Sequence, residues 1–169
     1  MRLAVVFGAI AATVLILPAG DAEAVDRTVE TKGANKMVPN AFVQSTLKFS
    51  PPRVSIESGE TLTLVHDDKT QDPHSLTIAN EDELPADFDE TFNCGAPGTI
   101  CGDAFDALPQ SDFTFFDAPG TATGIDGRLD TLWVDAGESA SAVVSAPSGS
   151  DLFFLCVIHP WMQGEIRVR

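Results

Sequence analysis

The feature that most limits what this chain can fold into is its alternation. In the segment TLTLVHDD, Leu62 and Leu64 fall on one face and Thr61, Thr63 and Val65 on the other. Period two over a short run is the mark of a half-buried strand. The same pattern recurs. AFVQSTLKF alternates imperfectly through Phe42, Ser45, Leu47 and Phe49, and PPRVSIESGE offers a short strand at Val54–Ile56 before the Ser58-Gly59 turn. HSLTIA points Leu76 and Ile78 inward, RLDTLWVDAG puts Leu129, Thr131 and Trp133 on one parity, and SASAVVSAP and DLFFLCVIHP follow. GEIRVR, with Ile166 and Val168 facing in, reads as the closing strand. No long 3.6-residue period competes, and Gly and Pro punctuate the runs, so the expectation is an all-β sandwich or barrel of about eight strands.

Three segments stand outside that pattern. Residues 1–24 open with Arg2, run apolar from Leu3 to Leu17, break at Pro18 and end in Ala22-Glu23-Ala24, the layout of a cleaved export signal. The run falls short of the roughly 18 residues that span a bilayer, so no stable membrane span is expected after processing. Residues 25–40 show no sustained period and read as a flexible leader, which leaves 41–169 as one domain. Residues 80–127 interrupt the strands with an acidic stretch, two cysteines, a short helix at Asp103–Leu108 and several phenylalanines. A structureless segment that long is uncommon, so it reads as an ordered excursion packed on the strands.

Charge removes one class of partner. At a net charge of -15 the chain offers no basic surface to a nucleic-acid backbone. Hydrophobic residues at 44% support a packed core rather than an acidic tail. Nine acidic side chains lie between Asp67 and Glu90 against Lys69 alone. They suit either a partner with a basic docking face or a saline environment.

The cysteines carry more information. An exported chain holds its thiols in an oxidising compartment, periplasmic or extracellular, where two of three are expected to pair. Cys94 and Cys101, joined by GAPGTI, are the natural disulfide. Cys156 is left over, and a free thiol there needs burial or ligation to persist.

Its surroundings supply the reason. FFLCVIHPWMQG spaces Cys156, His159 and Met162 as C-x2-H-x2-M where one strand ends and the last begins, with Pro160 stiffening the loop. Thiolate, imidazole and thioether together prefer copper, and a blue-copper site adds a second histidine and keeps the methionine as a weak axial ligand. His74, opening the strand after DDKTQDP, is that histidine. His66, the last of only three, reads as a bystander.

At this point the chain resembles the cupredoxins, the type 1 copper proteins. TLTLVHDDKTQDPHSLTI is similar to the family's strand, loop and first-histidine segment. CVIHPWM resembles the short ligand loop of the amicyanin type. The resemblance covers residues 42–79 and 129–169 and implies a cupredoxin-like Greek-key sandwich with one copper per chain. His74, Cys156, His159 and Met162 would be its ligands. It also implies Ser75 bracing the ligand loops where many members carry Asn, and His159, with Pro160 and Trp161, as the electron port to a redox protein partner. The function implied is single-electron carriage by Cu(I)/Cu(II) cycling. Two other readings stand beside it: a copper-binding protein for storage or delivery, and a non-redox acidic interaction module. Enzymatic copper chemistry finds no ligands. The chain has no H-x-H pair, no C-x3-C, and only His66 to spare.

Overall fold

The structure is a computed structural model describing residues 27–120 and 123–169. The expected export signal at 1–24 lies outside them. Among the described residues no helix is long and apolar enough to cross a membrane.

Seven strands come first: β1 (Arg27–Lys32), β2 (Asn35–Val38), β3 (Phe42–Ser45), β4 (Lys48–Ser50), β5 (Arg53–Ile56), β6 (Thr61–His66) and β7 (His74–Ala79). A single 3-10 turn at Glu81–Glu83 and two short α-helices follow, α1 (Phe88–Asn93) and α2 (Ile100–Ala107). The chain closes with β8 (Phe115–Phe116), β9 (Thr131–Val134), β10 (Ser139–Val143), β11 (Asp151–Leu155) and β12 (Gln163–Val168). One sheet has the order β10-β6-β1-β4 and the other β5-β12-β11-β7-β9-β8, while β2 and β3 form a separate hairpin. The fold is therefore predominantly β, in line with the alternation, and the described residues form twelve strands where about eight are expected. The pairs β1–β6 and β5–β12 are parallel, and the remaining pairs are antiparallel.

The core lies between the two sheets. Leu62 and Leu64 from β6, Phe49 from β4, Leu76 and Ile78 from β7, Phe154 from β11 and Ile166 from β12 share one buried cluster. Phe49 and Phe154 meet edge to face across it, ring centroids 5.1 Å apart, the arrangement their quadrupoles favour.

From Arg27 onward, the flexible leader expected at 25–40 is not what forms. Residues 27–32 are β1, an inner strand of the smaller sheet, with Val29 and Thr31 fully buried. RTVETK does alternate, but a single large hydrophobe points inward and the other inward residue is Thr31, so its hydropathy pattern is faint. The hydroxyl of Thr31 accepts a hydrogen bond from the Asp67 backbone N–H at 3.2 Å, which satisfies a polar group placed in the core. The run 41–49 also divides in two: β3 pairs with β2 in a largely exposed hairpin, and β4 joins the smaller sheet.

The excursion is ordered and lies on the larger sheet. Ile100, Cys101, Ala104 and Leu108 bury against Ala79, Leu155 and Val157, and Cys94 and Cys101 form the expected disulfide. This second layer explains why all six residues of β7 are buried: one face meets the sandwich core and the other meets the excursion. The helix over 100–107 starts three residues before the expected one, capped by Thr99, whose side chain accepts from the Gly102 N–H. Helix α1 was not legible, and its phenylalanines do not pack down. Phe88 and Phe92 face outward.

Candidate metal centre

Three donor groups converge at one end of the sandwich. His74 opens β7 and Cys156 follows β11 directly, so both leave hydrogen-bonded strands whose positions the ladder sets. His159 comes from the loop between β11 and β12. Backbone bonds tie that loop at the same spacing as its chemical side chains. The Cys156 carbonyl accepts from the His159 N–H at 3.2 Å, the His159 carbonyl from the Met162 N–H at 2.8 Å, and the Met162 carbonyl from the Cys156 N–H at 3.0 Å. Two successive turns closed by a ladder bond thus account for C-x2-H-x2-M. Pro160 occupies the second position of the latter turn, where its fixed φ is favoured.

The donor atoms of buried Cys156, His74 and His159 form a triangle. Cys156 Sγ lies 3.7 Å from His74 Nδ1 and 3.7 Å from His159 Nδ1, and the two nitrogens are 3.2 Å apart. An ion in the plane of two imidazoles and a thiolate, with bonds of about 2.0 Å to nitrogen and 2.3 Å to sulfur, needs edges of roughly 3.5 and 3.7 Å. The triangle fits a single ion, and two neutral imidazoles with one thiolate are the donors a copper site uses. Met162, on the same loop, is buried in the core cluster that contains Cys156.

Burial sets the protonation of this site. It lowers His74 to about 4, a trend that the neighbouring Asp68 carboxylate only partly opposes, and it lowers His159 below the usual histidine range. Both rings are therefore neutral at pH 7. Burial pushes the Cys156 thiol up, and the Ser75 N–H, donating to Sγ at 3.4 Å, works against that rise. A buried thiol of this kind loses its proton when a metal ion takes its place.

Ser75 sits where a brace between the two ligand segments must sit. Besides its N–H on Sγ, its hydroxyl accepts from the Val157 N–H at 3.0 Å and from the Thr77 hydroxyl at 3.0 Å.

Asp68 belongs to the site and was missed. Its Oδ2 lies 2.7 Å from His74 Nε2, with both side chains fully buried, so a carboxylate holds the ring on the side away from the triangle. Burial alone raises this carboxyl, but donors from Thr31 and Thr70 outweigh it and bring it to about 2. The Thr70 N–H and hydroxyl both donate to Oδ1 at 2.7 Å. A carboxylate a few residues from a candidate ligand was the available signal. DDKTQDP holds three, and only the fold selects among them.

His66 is closer than a bystander. Its ring is buried 5.0 Å from that of His74, and its Nε2–H donates to the Asp72 carbonyl at 3.1 Å. It lies outside the Cys156 triangle but forms a second cluster with Asp68 and His74. His159, expected at the surface, keeps 6% exposure, and Trp161, edge-on at 5.3 Å, is half exposed beside it.

No family model matches the chain, and no curated protein matches it. Among solved structures it is similar to a purple cupredoxin from Nitrosopumilus maritimus, at 17% identity and a TM-score of 0.45, covering 85% of this chain and 100% of that one. It is also similar to auracyanin A, a "blue" copper protein from Chloroflexus aurantiacus, at 14% and 0.48, covering 86% and 100%. A mutant amicyanin in its Cu(I) form gives 12% and 0.41, covering 85% and 82%. None of these likenesses singles out the amicyanin loop. At these identities no ligand, partner or activity passes to this chain, and the reading of the site rests on its own donor atoms.

Proposed function

We propose that this chain is an exported type 1 copper protein that carries single electrons between redox partners. The observation behind this reading is the buried triangle of Cys156 Sγ, His74 Nδ1 and His159 Nδ1 with edges of 3.2–3.7 Å. Copper bound there would supply a one-electron Cu(I)/Cu(II) couple. His74, Cys156 and His159 would hold it, with Met162 as the weak fourth donor.

The remaining work falls to the chain. Strand ends and a doubly turned loop hold the donors in place, so little has to move when charge changes. The Ser75 N–H stabilises negative charge on Sγ, Asp68 orients the His74 ring, and Phe154 and Met162, buried in the cluster that holds Cys156, keep water away. Electrons would leave by way of His159, whose ring meets that of Trp161 edge-on at 5.3 Å. The Cys94–Cys101 disulfide supports an oxidising location, periplasmic or extracellular.

Voltammetry of the copper-loaded protein tests this reading. A reversible one-electron wave that is lost in Cys156→Ala supports it. Copper that exchanges rapidly to a chelator and gives no reversible wave contradicts it and favours storage or delivery.

A further inference from the structure

The excursion leaves large apolar side chains in water. Phe88 and Phe92, four residues apart on α1, are 78% and 79% exposed, with stacked rings 6.0 Å apart. Their spacing puts them on one helix face. With Phe105, Ile158, Pro160 and Trp161 they line a groove of about 800 Å³. One wall is thus the helical excursion and the other is the loop that carries Cys156 and His159. Single exposed hydrophobes are ordinary, but a contiguous aromatic patch marks an interaction surface.

Charge selects the occupant. Residues 80–127 contain eleven acidic and no basic side chains. Asp87 lines the groove itself, and Asp89 and Glu90 stand exposed on α1. Such a rim repels anionic lipid surfaces, and it repels a second copy of a chain whose net charge is -15. A protein that presents an apolar projection ringed by lysine or arginine fits both the floor and the rim.

We propose that the groove between α1 and the ligand loop is the docking face for a cationic redox protein; this rests on the electron-carrier reading above. The acidic rim accelerates encounter and is screened by salt. Phe88, Phe92 and Trp161 set the lifetime of the complex, as buried aromatics do at interface centres. A partner seated there touches Pro160 and Trp161, so docking and electron exit share one surface.

The test uses cytochrome c, a lysine-rich haem protein, as probe, and the double variant Phe88→Ser/Phe92→Ser. Both positions are exposed, so the variant should keep the wild-type melting temperature and its rate of reduction by ascorbate. Calorimetry at low salt, on copper-free and copper-loaded protein alike, reads docking, and stopped-flow reads electron exchange. The expected result is roughly tenfold weaker binding and slower exchange in the variant, with both proteins weakening as salt rises. Unchanged binding in the variant, or no binding of cytochrome c to the wild type, overturns the proposal. Concentration-dependent self-association or flotation with phosphatidylcholine vesicles, abolished in the variant, overturns it in favour of a second copy or a lipid surface. Because copper-free protein is included, a failed copper site leaves the docking result readable and counts only against the electron-carrier reading.

Discussion

Ser75 grips both sides of Cys156: its backbone N–H donates to the sulfur at 3.4 Å, and its hydroxyl accepts from the next residue's N–H, on Val157, at 3.0 Å. The first contact acts on the thiolate and the second on the loop. Ser75→Ala separates them. It leaves the Val157 N–H buried without that acceptor, at a cost of about 1–3 kcal/mol, and thermal unfolding should show a drop of several degrees. Copper-to-thiolate absorption should persist, because the contact from the Ser75 N–H to sulfur is untouched. An unchanged melting temperature would show that the hydroxyl does not brace the loops.

Asp68 acts one layer further out, through the 2.7 Å approach of its carboxylate to His74 Nε2. Asp68→Ala frees the ring to reorient and removes the charge that favours its Nε2–H tautomer. Copper affinity measured by competition with a chelator should fall about 10–100-fold. Equal affinity in the variant would mean that strand β7 alone orients His74.

How much of this was readable beforehand depended on range. Cys156, His159 and Met162 lie within seven residues, and their spacing follows from local turns, so the motif declares itself. His74 was found because histidines are scarce. Asp68 and Thr31 were not, since their roles exist only after β1 lies beside β6 and brings the loop beyond His66 over the first histidine. The outward-facing Phe88 and Phe92 depart from the packing expected of the excursion for a related reason. A phenylalanine reads as core until the fold shows that nothing covers it.

The disulfide should matter to the excursion and not to the site. Cys94 and Cys101 belong to the outer apolar cluster, while Cys156 and Met162 belong to the sandwich core. Replacing both cysteines by alanine is expected to cost about 2–3 kcal/mol for a loop this short. Hydrogen exchange should rise over residues 84–108 with the copper spectrum unchanged. Loss of the spectrum would show that the excursion shapes the ligand loop.

Asp130 supplies a pH signature. Burial raises its carboxyl above the ordinary carboxylate range, against the pull of N–H donors from Asp126, Ala118 and Gly127. A folded-state value above the unfolded one favours the protonated form on folding. That contribution is full below the unfolded value of about 4 and is lost as pH rises through the folded value. The stability advantage of wild type over Asp130→Asn should therefore shrink as pH rises across that window in thermal melts. A difference that grows with pH would contradict the raised value.

On the electron-carrier reading, Cys156 binds copper as a thiolate. The most direct test is the visible absorption spectrum of the protein with one equivalent of Cu(II), recorded beside Cys156→Ser. An intense thiolate-to-copper band is expected in the wild type, bleaching with ascorbate, returning with an oxidant, and absent from the variant. Folded, copper-loaded wild type with no such band, or a band that survives in Cys156→Ser, would contradict it.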